Sequence, residues 1–200
     1  MNKLFGSKTR TSLITKLMME PDRVFHLREL SRETGIPYGM VHREIKNLTN
    51  LNIITREKKG NLTLIKANRS LPIYNDLRNI IIKTTGFHYF INNRIQGEIE
   101  YLLIFGSIAK HTDDMMSDID LMLIGEVNEL ELVESVSQIE KEIRREVNYI
   151  HWTTDDFQKK IKEKSHILKD IADNPLIMLE GDEDEFRRVI RGQDHSENYA

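Results

Sequence analysis

Two aspartates two positions apart, on a run that is otherwise apolar, constrain this chain more than any other feature. They are Asp118 and Asp120 in Ser117-Asp118-Ile119-Asp120-Leu121-Met122-Leu123. On a strand they point to the same face, with Cα atoms roughly 6–7 Å apart, so both carboxylates reach one site. Aspartate is a poor strand former, and two like charges side by side are costly. A divalent cation relieves that repulsion, and oxygen ligands suit Mg²⁺ or Mn²⁺. Upstream, Tyr101–Phe105 reads as an apolar strand that runs into Gly106-Ser107, about one short helix and a loop. Where a strand hands over to a helix, free backbone N–H groups and a hydroxyl can hold a phosphate. A phosphate cradle beside metal-binding carboxylates suits nucleotidyl transfer.

Gly106-Ser107, ten residues, then Asp118-x-Asp120 resembles the signature of the DNA polymerase β-type nucleotidyltransferases, in their minimal prokaryotic branch. Ala109 and Ser117-Asp118-Ile119-Asp120-Leu121 match the family pattern. Lys110 and His111 stand where Arg and Gly are usual; lysine keeps the charge and loses the bidentate fork. The resemblance implies Asp118 and Asp120 as catalytic and metal-holding residues. It also implies Gly106, Ser107 and Lys110 as nucleotide-binding residues, with an NTP, ATP foremost, as substrate or ligand. The family's third carboxylate lies on the strand after the long helix, a place that falls at Asn148 here. Asparagine neither takes a proton nor carries charge. Glu146, on the same face, is the candidate substitute.

The net charge of −3 conceals an asymmetry. Residues 1–85 carry 16 Lys and Arg against 7 Asp and Glu, whereas residues 86–200 carry 13 against 25. Such a contrast suggests two domains with different partners, the basic one facing a polyanion. No cysteine is present, which excludes a disulfide framework and thiolate metal sites. No apolar run approaches membrane-spanning length and the N-terminal residues lack a signal peptide's apolar core, so a cytoplasmic protein with no membrane partner is expected.

In the basic half, helical periodicity covers Ser12–Glu20 and about Leu27–Thr34, and Pro37 opens a third helix. That helix places Val41, Ile45, Leu48 and Leu51 on one face, and Tyr38, His42, Arg43 and Lys46 on the other. A hairpin follows, with strands Ile53–Arg56 and Leu62–Ile65 around a basic tip at 58–61. The order is that of a winged helix-turn-helix, and Leu30–Pro37 resembles the turn region of prokaryotic winged-helix regulators. This predicts double-stranded DNA as a partner. Tyr38, Gly39, His42, Arg43 and Lys46 would sit in the major groove, with Arg56, Lys58 and Lys59 on the backbone. The competing reading is a small helical domain whose solvated charges serve protein contacts.

The expected organisation is an α/β (α+β) chain with a small mixed sheet in its second domain. It comprises a winged helix over 1–70, a connecting helix over 71–86, a polymerase β-like nucleotidyltransferase domain over 87–190 and a disordered tail over 191–200. The connecting helix carries a stripe of Ile73, Tyr74, Leu77, Ile80, Ile81 and Thr84 at helical spacing, suited to its own domains or to a homodimer. Further helices are expected over Phe87–Ile95 and Val127–Arg145, the latter with Leu130, Val133, Val136, Ile139 and Ile143 as its apolar face. A strand follows at 146–152, then a basic helix from Thr154, a strand at 175–180 and a helix capped by Asp182 with Glu185. Arg145–Phe157 resembles a subgroup that fuses a winged helix to a nucleotidyltransferase-like domain. The resemblance carried by Gly106-Ser107 and Asp118-x-Asp120 implies NMP transfer to a hydroxyl of a protein or small molecule. The minimal antitoxin relatives adenylylate a partner toxin. A regulator that only senses nucleotide is the alternative.

Overall fold

The computed structural model describes residues 5–60, 62–84, 95–114, 116–143 and 145–192. The helix expected over Phe87–Ile95 lies outside them except for Ile95, as do residues 193–200 of the expected tail. The chain divides into two units, Met1–Thr85 and Gly86–Ala200.

The first unit begins with α1 (Lys8–Met19), whose start is fixed by the Ser7 hydroxyl accepting from the Arg10 N–H at 3.4 Å. A short strand β1 (Phe25–His26) leads into α2 (Leu27–Thr34), which ends on Gly35 at φ +68°, a left-handed cap natural to glycine. Pro37 then caps α3 (Tyr38–Asn50). Strands β2 (Ile54–Lys59) and β3 (Leu62–Ala67) form an antiparallel hairpin, and β1 pairs on the far side of β3. Leu13, Ile14, Leu17, Phe25, Leu30, Val41, Ile45, Leu48 and Ile65 are buried, and each such side chain stabilises the unit by about 1.5–3 kcal/mol. Helix α4 (Tyr74–Thr84) belongs to this unit, and its Arg78, fully buried, donates from Nε to the Met18 carbonyl at 3.1 Å.

Three expectations change here. Leu51 does not join the buried face of α3; it follows the last helical residue and is 56% exposed. Ile73 and Ile80 are exposed, because the buried side of α4 runs through Tyr74, Leu77, Ile81 and Ile82. Lys58 and Lys59 are not turn residues: the ladder continues to the pair Lys59↔Leu62, leaving Gly60 at the turn.

The second unit is built on a four-stranded mixed sheet in the order β6-β5-β4-β7. Strand β4 (Gly97–Phe105) pairs antiparallel with β5 (Ile119–Val127), from Gly97↔Val127 to Phe105↔Asp120. Between them lies α5 (Gly106–Ala109). Strand β6 (Val147–Trp152) runs parallel to β5, which requires a crossover, and α6 (Glu129–Ile143) supplies it. Then come α7 (Thr154–Lys162), α8 (His166–Asp173), β7 (Ile177–Glu180), antiparallel to β4, and α9 (Glu183–Ile190). The Asp182 carboxylate caps α9 by accepting from the Glu185 N–H at 2.8 Å.

One sheet face carries Tyr101, Leu103, Met122, Ile124 and Met178, packed with Phe157, Leu168, Ile171 and Phe186. Phe157 and Phe186 stack at 5.9 Å, and Tyr101 meets Phe186 edge-on at 5.2 Å. The apolar face expected of α6 is corrected: Leu130 is 77% and Val133 51% exposed, while Leu132, Val136 and Ile139 are buried. At 100° per residue Leu130 lies nearly opposite the 132-136-139 stripe. Among the described residues no helix is long and apolar enough to cross a membrane.

Candidate nucleotide site

The register of β4, β5 and β6 assembles the site. Phe105 pairs with Asp120, and Asp120 pairs with Asn148. Side chains two apart share a face, so Asp118 and Asp120 extend the face that Met122 and Ile124 fill further along β5. The carboxylates thus stand at the rim of the aromatic core. Asp118 directly precedes the strand, and the next residue is locked by the Ile119 N–H donating to the Glu146 carbonyl at 2.9 Å.

Burial raises the Asp120 carboxyl above its ordinary pKa; a hydrogen bond from Asn148 opposes the shift and the Asp118 charge adds to it. The Asn148 amide also donates from Nδ2 to Asp118 Oδ2 at 3.1 Å. Asparagine therefore sits on the carboxylate pair as a neutral donor. It relieves part of their repulsion and supplies no base.

Gly106 meets the pair from the other side. Its φ is +72°, and a Cβ built there falls 2.0 Å from Asp120 Oδ2. Only glycine leaves room for the carboxylate against the backbone. Ser107 is half-buried in α5, and Lys110 is exposed one turn on, its N–H donating to the Gly106 carbonyl at 3.1 Å. Glu146 is exposed and lines, with Asn148, Ser137, Glu140, Lys141 and Arg145, a cleft of about 480 Å³.

No group of three or more His, Cys, Asp or Glu side chains suited to a metal occurs among the described residues. The donor set nonetheless fits Mg²⁺, which takes one or two carboxylates and completes its shell with water and substrate phosphates.

Two residues not singled out in the sequence fix the loop ahead of Asp118. Asp113 and Arg145 form an ion pair at 3.2 Å with side chains 0% and 5% exposed. Arg145 also donates from Nη2 to the Asp114 carbonyl. For Arg145 the sequence signal is its place at the head of the Arg145–Phe157 stretch that resembles the fused subgroup; no sequence signal marks Asp113.

In the first unit, Tyr38, Gly39, His42, Arg43 and Lys46 are all exposed on α3, with Tyr38 and His42 stacked at 6.3 Å. The acid of this helix, Glu44, turns inward and is bound by Arg10 at 2.6 Å and by Asn47 at 3.1 Å. Arg56, Lys58 and Lys59 are exposed along β2. Both sets present cations without carboxylate partners among the described residues.

Comparison with known proteins bears on the second unit. The family described as "Polymerase beta, Nucleotidyltransferase" matches residues 88–174. A crystal structure of a toxin-antitoxin with AMP-PNP aligns at a TM-score of 0.38 and 12% identity, over 52% of this chain and 81% of that one. No curated protein matches the chain. Residues 88–174, which contain Gly106, Asp118, Asp120 and Asn148, thus carry a nucleotidyltransferase domain of the polymerase beta family.

Proposed function

We propose that the second unit binds a nucleoside triphosphate with Mg²⁺ or Mn²⁺ and transfers its NMP to a hydroxyl of a protein or small molecule. We further propose that the first unit is a winged helix that binds double-stranded DNA. The observation that carries the nucleotide reading is the close packing of Gly106 against Asp120 in a pair of carboxylates shared with Asp118. Asp118 and Asp120 would hold the cation, which when bound screens the charge on the triphosphate. Gly106 and Ser107 hold phosphate oxygens through backbone N–H groups and the hydroxyl, with Lys110 as a nearby counter-charge. The acceptor oxygen forms a bond to the α-phosphorus while the bond to the β-phosphate oxygen breaks and pyrophosphate leaves. Asn148 cannot receive the hydroxyl proton; Glu146, lining the same cleft, is the candidate acceptor.

The test is transfer of α-labelled NTPs, with Mg²⁺, into protein and small-molecule fractions of a lysate by wild type and Asp120→Ala. Label that depends on Asp120 supports the reading and reveals the acceptor, including a toxin-like partner if one is present. Equal labelling by both proteins contradicts it.

A second reading, a regulator that senses nucleotide without turning it over, draws on the amide of Asn148 donating to Asp118 where a base would stand. It predicts no label and a DNA affinity that changes with Mg·NTP, through differential contacts in two states. The DNA reading rests on the exposed cations of α3 and β2, which have no carboxylate partner among the described residues, and on the burial of Glu44. It predicts that log K falls by about 0.9 per phosphate neutralised as log salt rises.

A further inference from the structure

We propose that the buried Asp113–Arg145 pair is a positioning latch that sets the Gly106–Ser107 turn against Asp118 and Asp120; this rests on the nucleotide reading above. The segment between the turn and the aspartates consists of two locally folded pieces. The first closes where the Thr112 N–H donates to the Ser107 carbonyl at 3.0 Å, with His111 at φ +56°. The second closes on the Asp114 carboxylate, which accepts from the Met116 N–H at 2.9 Å and from the Ser117 hydroxyl at 3.0 Å. Asp113 is the joint between the pieces, 1% exposed, and Arg145 grips both Asp113 and the Asp114 carbonyl.

Each end of this arrangement leads into the site. The first piece grows from Ser107, the second runs into Asp118, and Arg145 is three residues before Asn148. A shift at the joint moves the phosphate turn relative to the carboxylates. Fold stability alone does not call for charge here, since a buried ion pair is often replaced by apolar residues without loss, whereas removing one partner is strongly destabilising. What the apolar pair cannot do is direct a planar fork at a carboxylate and a carbonyl together.

The experiment measures Mg·ATP affinity by calorimetry, at a temperature where circular dichroism shows every variant folded. The proteins are wild type, Arg145→Met, Arg145→Lys and the double variant Asp113→Leu/Arg145→Met. The latch predicts at least tenfold weaker binding for Arg145→Met and an intermediate loss for Arg145→Lys, which keeps the charge without the fork. The double variant regains thermal stability without regaining affinity. Affinity that returns together with stability overturns the latch and leaves the nucleotide reading standing. A wild type that binds neither Mg·ATP nor another Mg·NTP overturns both.

Discussion

Two acidic clusters, one in each unit, handle charge in opposite ways. In the first, Arg23 gathers Glu20 at 2.6 Å and Glu29 and Glu33 at 2.5 Å each, lies 4.5 Å over the Phe25 ring, and shares Glu33 with Lys16 at 2.8 Å. Each of these three acids has a cation. In the second, Asp118 and Asp120 stand side by side on one face, and among the described residues the Asn148 amide is the group that bonds to both. The pKa directions record the contrast. Burial alone would raise Glu33, yet Lys16 and Arg23 hold it down at about 2, whereas burial leaves Asp120 raised. The acids around Arg23 are neutralised from within, whereas the Asp118–Asp120 pair has no cationic side chain on it among the described residues.

The largest effect should come from Asp118→Ala and Asp120→Ala, each expected to cut nucleotide transfer by about 10²-fold or more, as loss of a principal electrostatic contact does, with circular dichroism unchanged. Next is Gly106→Ala. The left-handed backbone costs about 1–2 kcal/mol and the new methyl displaces Asp120, so both thermal stability and Mg·ATP affinity should fall. In the first unit, Glu33→Gln should cost about 2 kcal/mol in denaturant unfolding, since it leaves the half-buried Lys16 and Arg23 short of a partner. The sign of its pH dependence follows from a folded value below the unfolded one. The stabilisation from Glu33 is complete above about pH 4.5 and disappears as pH falls toward about 2, which an acid titration of helicity would follow. The smallest effects belong to the exposed cations: Arg43→Ala and Lys46→Ala should each flatten the salt slope of DNA binding by about 1 if they touch phosphates, and leave stability within about 0.5 kcal/mol.

Local chemistry made much of this legible in advance. Helix α2 and the caps at Pro37 and Asp182 follow from residues within one turn of each other, and β4 and β5 follow from their apolar runs, which are buried continuously. Long-range register was harder. That Asp120 stands directly beside Asn148 depends on a parallel pairing across the whole of α6. The Asp113–Arg145 pair joins positions 32 apart, and nothing local distinguishes Asp113 from the solvated acids around it. Helix α6 misled because apolar residues lie on two of its sides; Leu130 and Val133 fit a helical period as well as Leu132 and Val136 do, and only the sheet decides which side is covered. Helix α8 escaped notice because its eight residues, His166–Asp173, mix Leu168, Ile171 and Ala172 with charges too briefly for a periodicity to stand out.

The measurement that bears most directly on the carboxylate pair is the melting temperature of wild type and Asp120→Asn near pH 7, metal-free and with Mg·ATP. Because the folded value of Asp120 lies above its unfolded one, its charge opposes folding at neutral pH, and that opposition fades as pH falls through the raised value. Removing the charge should therefore raise the melting temperature of the metal-free protein, whereas Mg·ATP should raise that of wild type and leave Asp120→Asn nearly unchanged. A variant less stable than wild type without metal, and equally stabilised by Mg·ATP, would contradict the account.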